Sequence, residues 1–113
     1  MSKPRARTGL AGAALLFAAL GDQTRIELLQ QLSQRGPASI SALAGRFALT
    51  RQGVTKHLNV LAAAGLIDGH REGRDHVWVL NTSRFAEAQQ HLETIARGWD
   101  SALTRLKAHA ERP

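Results

Sequence analysis

Residues 48–67 read ALTRQGVTKHLNVLAAAGLI. Thr50 is a suitable N-cap, because its hydroxyl can accept a backbone N–H that the first helical turn leaves unpaired. Val54, Leu58 and Leu61 recur at three- and four-residue spacing and mark a buried stripe. Gly65 stands where a helix end calls for a left-handed residue, and Leu66-Ile67 opens a strand. The stretch therefore predicts a helix over 51–64 with a narrow apolar side. Its opposite side presents Arg51, Gln52, Thr55, Lys56 and Asn59.

Upstream, Ala48-Leu49 is a tight connection to a third helix that begins at Ser39 or Ile40 and turns Ile40, Leu43, Ala44 and Phe47 inward. Gly36-Pro37 breaks the chain before it. A second helix over about 23–34 carries Ile26, Leu28, Leu29 and Leu32 at helical periodicity, capped by Asp22. Gly21 stops a first helix over 10–20 that is rich in Ala and Leu. Residues 1–9 are basic, carry Pro4 and Gly9, and read as a flexible arm.

Downstream the period changes to two. A strand from Leu66-Ile67, a turn at Glu72-Gly73-Arg74-Asp75 and a return over His76 to Leu80 make a hairpin. Trp78 and Leu80 are expected to face the core, with Val77 and Val79 more exposed. Asn81, Thr82 or Ser83 caps a last helix to about residue 109, roughly 40 Å long at 1.5 Å per residue. Phe85, Leu92, Ile95, Trp99, Leu103 and Leu106 form its stripe, and Gly98 within it costs about 1 kcal/mol relative to Ala. The order is helix, helix, helix, helix, hairpin, helix. That predicts a mainly α fold with a small β-hairpin, a winged helix-turn-helix, as one domain over 10–110 with terminal helices.

The 113 residues suit one domain, and 43% apolar content suits a folded one. A net charge of +6 and a pI near 11.3 favour a polyanionic partner, nucleic acid before membrane. The absence of cysteine excludes disulfides, thiolate metal sites, iron–sulfur clusters and thiol catalysis. With 4% aromatics and no tyrosine, the chain has few platforms for stacking single-stranded bases. The near-apolar run Leu10 to Leu20 is too short to span a bilayer. Behind Lys3, Arg5 and Arg7 it mimics a secretory leader, but a first helix packed on the rest is the reading adopted, with a cytoplasmic location.

Charge is uneven along the chain. No acidic residue lies between Glu27 and Asp68, where Arg35, Arg46, Arg51, Lys56 and His57 occur. Any one charged residue on a helix is ordinarily just solvated. The acid-free window, the polar helix face and the basic turn together point to double-stranded DNA. The candidate contacts are Thr50, Arg51, Gln52, Thr55, Lys56, His57 and Asn59 on the fourth helix, and Arg71, Arg74 and His76 on the hairpin. His57 neighbours the buried stripe, and a half-buried, hydrogen-bonded histidine is an equal reading of it.

Leu20-Gly21-Asp22-Gln23-Thr24-Arg25, Thr55-Lys56-His57-Leu58-Asn59-Val60-Leu61 and Ala64-Gly65-Leu66-Ile67 resemble the arsenic-repressor (ArsR/SmtB) family of bacterial winged-helix regulators. Arg71-Glu72-Gly73-Arg74 and Trp78-Val79-Leu80 fit the same pattern, and the resemblance spans about 15–108. It implies a homodimeric repressor on imperfectly palindromic operator DNA, dimerised through its first and last helices. Leu15, Leu16 and Phe17, with Leu92, Ile95, Trp99, Leu103 and Leu106, would then form the dimer interface. Left alone, the Trp99 stripe would be a large exposed apolar patch.

Many relatives sense metals through Cys-x-Cys early in the third helix. Here those positions are Ser39 and Ser41, and serine is a poor ligand for soft metals. His91 and His109 lie eighteen residues apart on one helix, about 27 Å, so one chain cannot chelate with both; a site across the dimer would lack the family's close ligand spacing. No metal, cofactor or catalytic group is expected, and no nucleophile elbow or phosphate loop occurs. The other classes open to this chain are a non-specific basic architectural protein and a pure dimerisation module. An inducer, small molecule or protein, is left unidentified; the region between the first, second and last helices is the default place for its pocket.

Overall fold

The computed structural model describes residues 9–112. In chain order these form α1 (Gly9–Leu20), α2 (Gln23–Arg35), β1 (Ala38–Ser39), α3 (Ile40–Phe47), α4 (Arg51–Ala63), β2 (Ile67–Glu72), β3 (Asp75–Leu80) and α5 (Thr82–Ala110). The basic arm expected over 1–9 lies, apart from Gly9, outside the described residues.

Local chemistry sets most of the boundaries. The Gly21 N–H donates to the Ala18 carbonyl at 3.1 Å and closes α1. The Asp22 carboxylate accepts from the Arg25 N–H at 3.0 Å and caps α2. Arg25 then reaches back, donating from Nε to the Ala19 carbonyl at 2.7 Å and from Nη2 to the Ala18 carbonyl at 3.1 Å. One arginine thus satisfies carbonyls that the last turn of α1 leaves open. Ser39 caps α3 through the Ala42 N–H at 3.2 Å, and Thr50 caps α4 through the Gly53 N–H at 3.0 Å.

The core is a single cluster in which Leu16 of α1, Leu28 of α2, Leu43 of α3, and Val54, Leu58 and Leu61 of α4 are fully buried with Leu66. Leu16 was expected at a dimer interface. It faces this core instead, with Ala13 and Ala19 beside it on the inner side of α1. Leu15, exposed, and Phe17, half-buried, lie on opposite flanks of Leu16. Ile26 was expected to turn inward and is 41% exposed.

The sheet has three strands in the order β1-β3-β2, all antiparallel, rather than the two of a bare hairpin. Ala38 pairs with Trp78 and Ser39 with Val77. This makes β3 the central strand and corrects the expectation for its side chains. Val77 lies between Ser39 and His70 and is buried along with Trp78, while Val79 and Leu80 are both half-buried. The β2–β3 turn is Gly73-Arg74, with Gly73 at φ 62° and Arg74 outside the positive-φ region. That is the two-residue geometry that glycine in first place permits.

α5 changes character along its length. Arg84 and Ala88 are buried and Phe85 half-buried, but from Leu92 to Arg112 every residue is exposed. The helix therefore runs beyond the body it starts on, and the longest dimension of the molecule is 71 Å. Leu58→Ala, at a fully buried position, should lower stability by about 2–5 kcal/mol through lost transfer energy and a residual cavity. Urea unfolding should show an earlier midpoint with an unchanged slope.

Candidate nucleic-acid interface

Burial of Val54, Leu58 and Leu61 turns one side of α4 inward, so the other side must meet solvent. Arg51, Gln52, Lys56 and Asn59 are exposed there, and Val60 beside them is 41% exposed. α3 leads into α4 through Ala48, a non-glycine residue in the left-handed region at φ 51°. Such a backbone costs an L-residue roughly 1–2 kcal/mol. The conformation lets the Leu49 N–H donate to the Ala44 carbonyl at 3.2 Å and brings the two helices into contact across the three residues 48–50.

Two hydrogen bonds shape the exposed face. Arg51 donates from Nη1 to the Ser41 hydroxyl of α3 at 2.9 Å, which holds its guanidinium near the start of α4. Its remaining donors stay available, beside the partial positive charge of the helix N-terminus. Thr55 donates its hydroxyl proton to the Arg51 carbonyl at 2.7 Å. What Thr55 then offers outward is an acceptor lone pair and a methyl group, suited to a base amino group or a thymine methyl.

His57 sits differently. It is half-buried, with Nδ1 3.9 Å from Asp22 Oδ1. The Arg25 N–H bonded to Asp22 holds that carboxyl below its ordinary pKa, with the nearby charges of Arg25 and His57 acting the same way. Asp22 therefore stays ionised at neutral pH. Of the residues expected on this face, His57 alone lies beside the cap of another helix, and it is half-buried.

On the hairpin, Arg71 pairs in register with His76 and Glu72 with Asp75. Arg71 and Arg74 are exposed and have no carboxylate within ion-pair range among the described residues. His76 stacks on Trp78, ring centres 4.5 Å apart and planes 18° from parallel. Both rings lie over Gly69, where a Cβ would come within 2.3 Å of His76 Nε2. His70 Nε2 is 3.6 Å from Glu72 Oε1. Glu72 and Asp75 offset the two arginines, so attraction to phosphate at this tip rests on individual side chains rather than net charge.

Two groups escaped the sequence pattern. Ser41 meets Arg51 only because α3 and α4 cross, and no periodicity marks that. Arg84, with its Nε 3.3 Å from the Ala64 carbonyl, is 6% exposed although it follows a run of capping residues that reads as surface. An apolar cleft of about 380 Å³ lies between α2 and the ends of α1 and β3 and the start of α5, lined by Leu20, Ile26, Leu29, Leu80 and Phe85. This is the region in which an inducer pocket was expected. Among the described residues, no three His, Cys, Asp or Glu side chains gather as a metal site would require. No helix among them is long and apolar enough to cross a membrane.

Residues 20–70, from the end of α1 into β2, match the helix-turn-helix domain family. An ArsR-like transcriptional regulator from Rhodococcus sp. RHA1 superimposes with a TM-score of 0.78 at 38% identity, covering 91% of this chain and 96% of that one. The chain belongs to the ArsR family of transcriptional regulators. Its relatives include the HTH-type transcriptional regulator YuzN of Bacillus subtilis, 34% identical over 74% of this chain and 90% of that protein. Another is the transcriptional repressor SdpR of Bacillus subtilis, 32% identical over 60% of this chain and 74% of that protein. Members of the ArsR family regulate transcription and are not enzymes.

If this face meets DNA, Lys56→Ala should weaken binding to all duplexes alike and reduce the salt slope by about one unit. Gln52→Ala should instead relax sequence preference at a single position, by roughly 1–3 kcal/mol. Fluorescence anisotropy over a salt series separates the two outcomes.

Proposed function

We propose that this ArsR-family chain is a homodimeric repressor that binds a specific double-stranded operator. α4 lies in the major groove and the β2–β3 hairpin on the flanking backbone or minor groove. The observation that carries the reading is the exposed face of α4, where Arg51, Gln52, Thr55, Lys56 and Asn59 run along one side of a helix clamped from behind. Long cationic side chains suit phosphates, and the two amides suit base edges. Thr50 opens the same helix: its hydroxyl accepts the capping N–H of Gly53 and keeps its own proton to donate to a phosphate. Arg71 and Arg74 extend the footprint; His76, stacked on Trp78, contributes a rigid edge. Repression is supported by the relative that bears that name.

Dimerisation is supported by α5. Leu92, Ile95, Trp99, Leu103 and Leu106 are 50–66% exposed on the part of α5 that no other described residue covers. Their spacing of three and four residues keeps them on one side, as a helix seam requires. On α1, Leu15 is exposed and Phe17 half-buried, so both have surface to give to the same interface. Two copies joined there would present two α4 helices to two half-sites, which is how a small helix-turn-helix protein gains both affinity and length of recognised sequence.

Trp99→Glu places a charge at the centre of the stripe. Sedimentation should show a monomer, and affinity for the duplex upstream of the chain's own gene should fall about a hundredfold or more. A Trp99→Glu chain that stays dimeric and binds as before would place the interface elsewhere.

A further inference from the structure

The C-terminal end of α4 and the N-terminal end of α5 are joined by contacts that DNA reading and dimerisation do not themselves need. α4 closes on Gly65, at φ 79°, with the Gly65 N–H donating to the Ala62 carbonyl at 2.9 Å and the Leu66 N–H to the Leu61 carbonyl at 3.0 Å. The Leu66 carbonyl in turn accepts from the N–H of Asn81, the residue before α5, at 2.9 Å. The Ala64 carbonyl accepts from Arg84 Nε at 3.3 Å.

Arg84 is 6% exposed and is the buried charged side chain of the described residues. Its Nη1 pairs with the Glu87 carboxylate on the same helix. Its stem lies across Gly65, where an added Cβ would meet Nε at 3.0 Å, Cγ at 3.2 Å and Cδ at 3.3 Å. A guanidinium leaves water at a high cost unless it is held by partners. Here it is held at one end by the negative pole of α4 and at the other by a carboxylate of α5. The joint is close-packed: glycine is favoured at 65 by its φ, and an added Cβ would also press on the arginine above it.

In the proposed dimer, α5 is fixed against the partner and α4 against DNA. The angle between them in each protomer therefore sets the distance and rotation between the two α4 helices. The thirteen residues of α4 span about 20 Å, so a tilt of about 10° at its C-terminal end moves its N-terminal end by about 3 Å. That far exceeds the range over which a hydrogen bond to a base survives. We infer that Arg84, seated over Gly65, is a positioning residue that fixes the half-site spacing the dimer accepts. The inference rests on the dimeric, operator-binding reading above.

The test begins with an operator selected by the wild-type chain from a randomised duplex pool, and with versions carrying one or two extra base pairs at its centre. Each added pair turns one half-site by about 34° relative to the other, so wild type should lose about tenfold in affinity at the first insertion. Arg84→Gln and Arg84→Lys should stay dimeric and bind a lone half-site as wild type does. Both should bind the selected operator about tenfold more weakly and lose about threefold or less at the insertion. Should Arg84→Gln not fold, Arg84→Lys, which keeps a charge beside Glu87 and gives up the Nε donor, carries the comparison. A folded Arg84→Lys with wild-type affinity and the wild-type insertion penalty overturns the inference. So does an equal loss on the lone half-site, since that is what general destabilisation would give. Failure of the wild type to select any operator counts against the operator-binding reading, not against the joint.

Discussion

The rest of this structure depends on the burial of Val54, Leu58 and Leu61. Three fully buried side chains, one or two turns apart, clamp α4 against the core and leave it no freedom to roll about its axis. Removing that apolar surface from water is worth several kcal/mol, more than any contact on the exposed side could contribute. The direction in which Gln52, Lys56 and Asn59 point is therefore decided by what lies behind them. The helix-turn-helix unit uses the hydrophobic core as its aiming device, and the hydrogen bond from Arg51 to Ser41 adjusts the aim at the helix start.

α5 joins the two halves of the proposed function. Its first two turns belong to the domain: Arg84 and Ala88 are buried and Phe85 packs on the core. Its remainder carries apolar side chains that no other described residue covers. A monomer that exposes Trp99 and four large aliphatic residues on one helix is an incomplete unit. The same helix meets the end of α4 through Arg84. In the proposed dimer, assembly and DNA geometry thus share one element.

What was legible in the sequence was local. Asp22 and Thr50 cap helices because a short oxygen side chain before an apolar period has few other uses, and both accept N–H groups of the first turn, as does Ser39, which read only as a possible start of its helix. Gly65 takes the left-handed turn its position called for. The motif from Leu20 to Arg25 proves to be a compact device: Gly21 stops α1, Asp22 starts α2, and Arg25 ties the two together. What stayed hidden was tertiary. Two residues, Ala38 and Ser39, are too short a strand to show a period, yet they make β3 central and bury Val77. Leu16 and Leu15 are adjacent on an Ala-rich helix whose apolar residues occur on every side, so the sequence could not say which of them faces the core. Arg84 reads as a solvated charge until α4 is brought beside it. Most of the exposed polar face of α4 was legible because it is the complement of the buried stripe. His57, at the edge of that stripe, read equally as half-buried or as part of the face, and its approach to Asp22 depends on where α2 lies.

The most direct measurement compares the duplex upstream of this chain's own gene with a shuffled duplex, by fluorescence anisotropy across a salt series. A preference of about a thousandfold or more for the upstream duplex, maintained as salt rises, is the expected result. Equal binding to both, falling together and steeply with salt, would contradict operator recognition and leave only the attraction of a basic protein for phosphate.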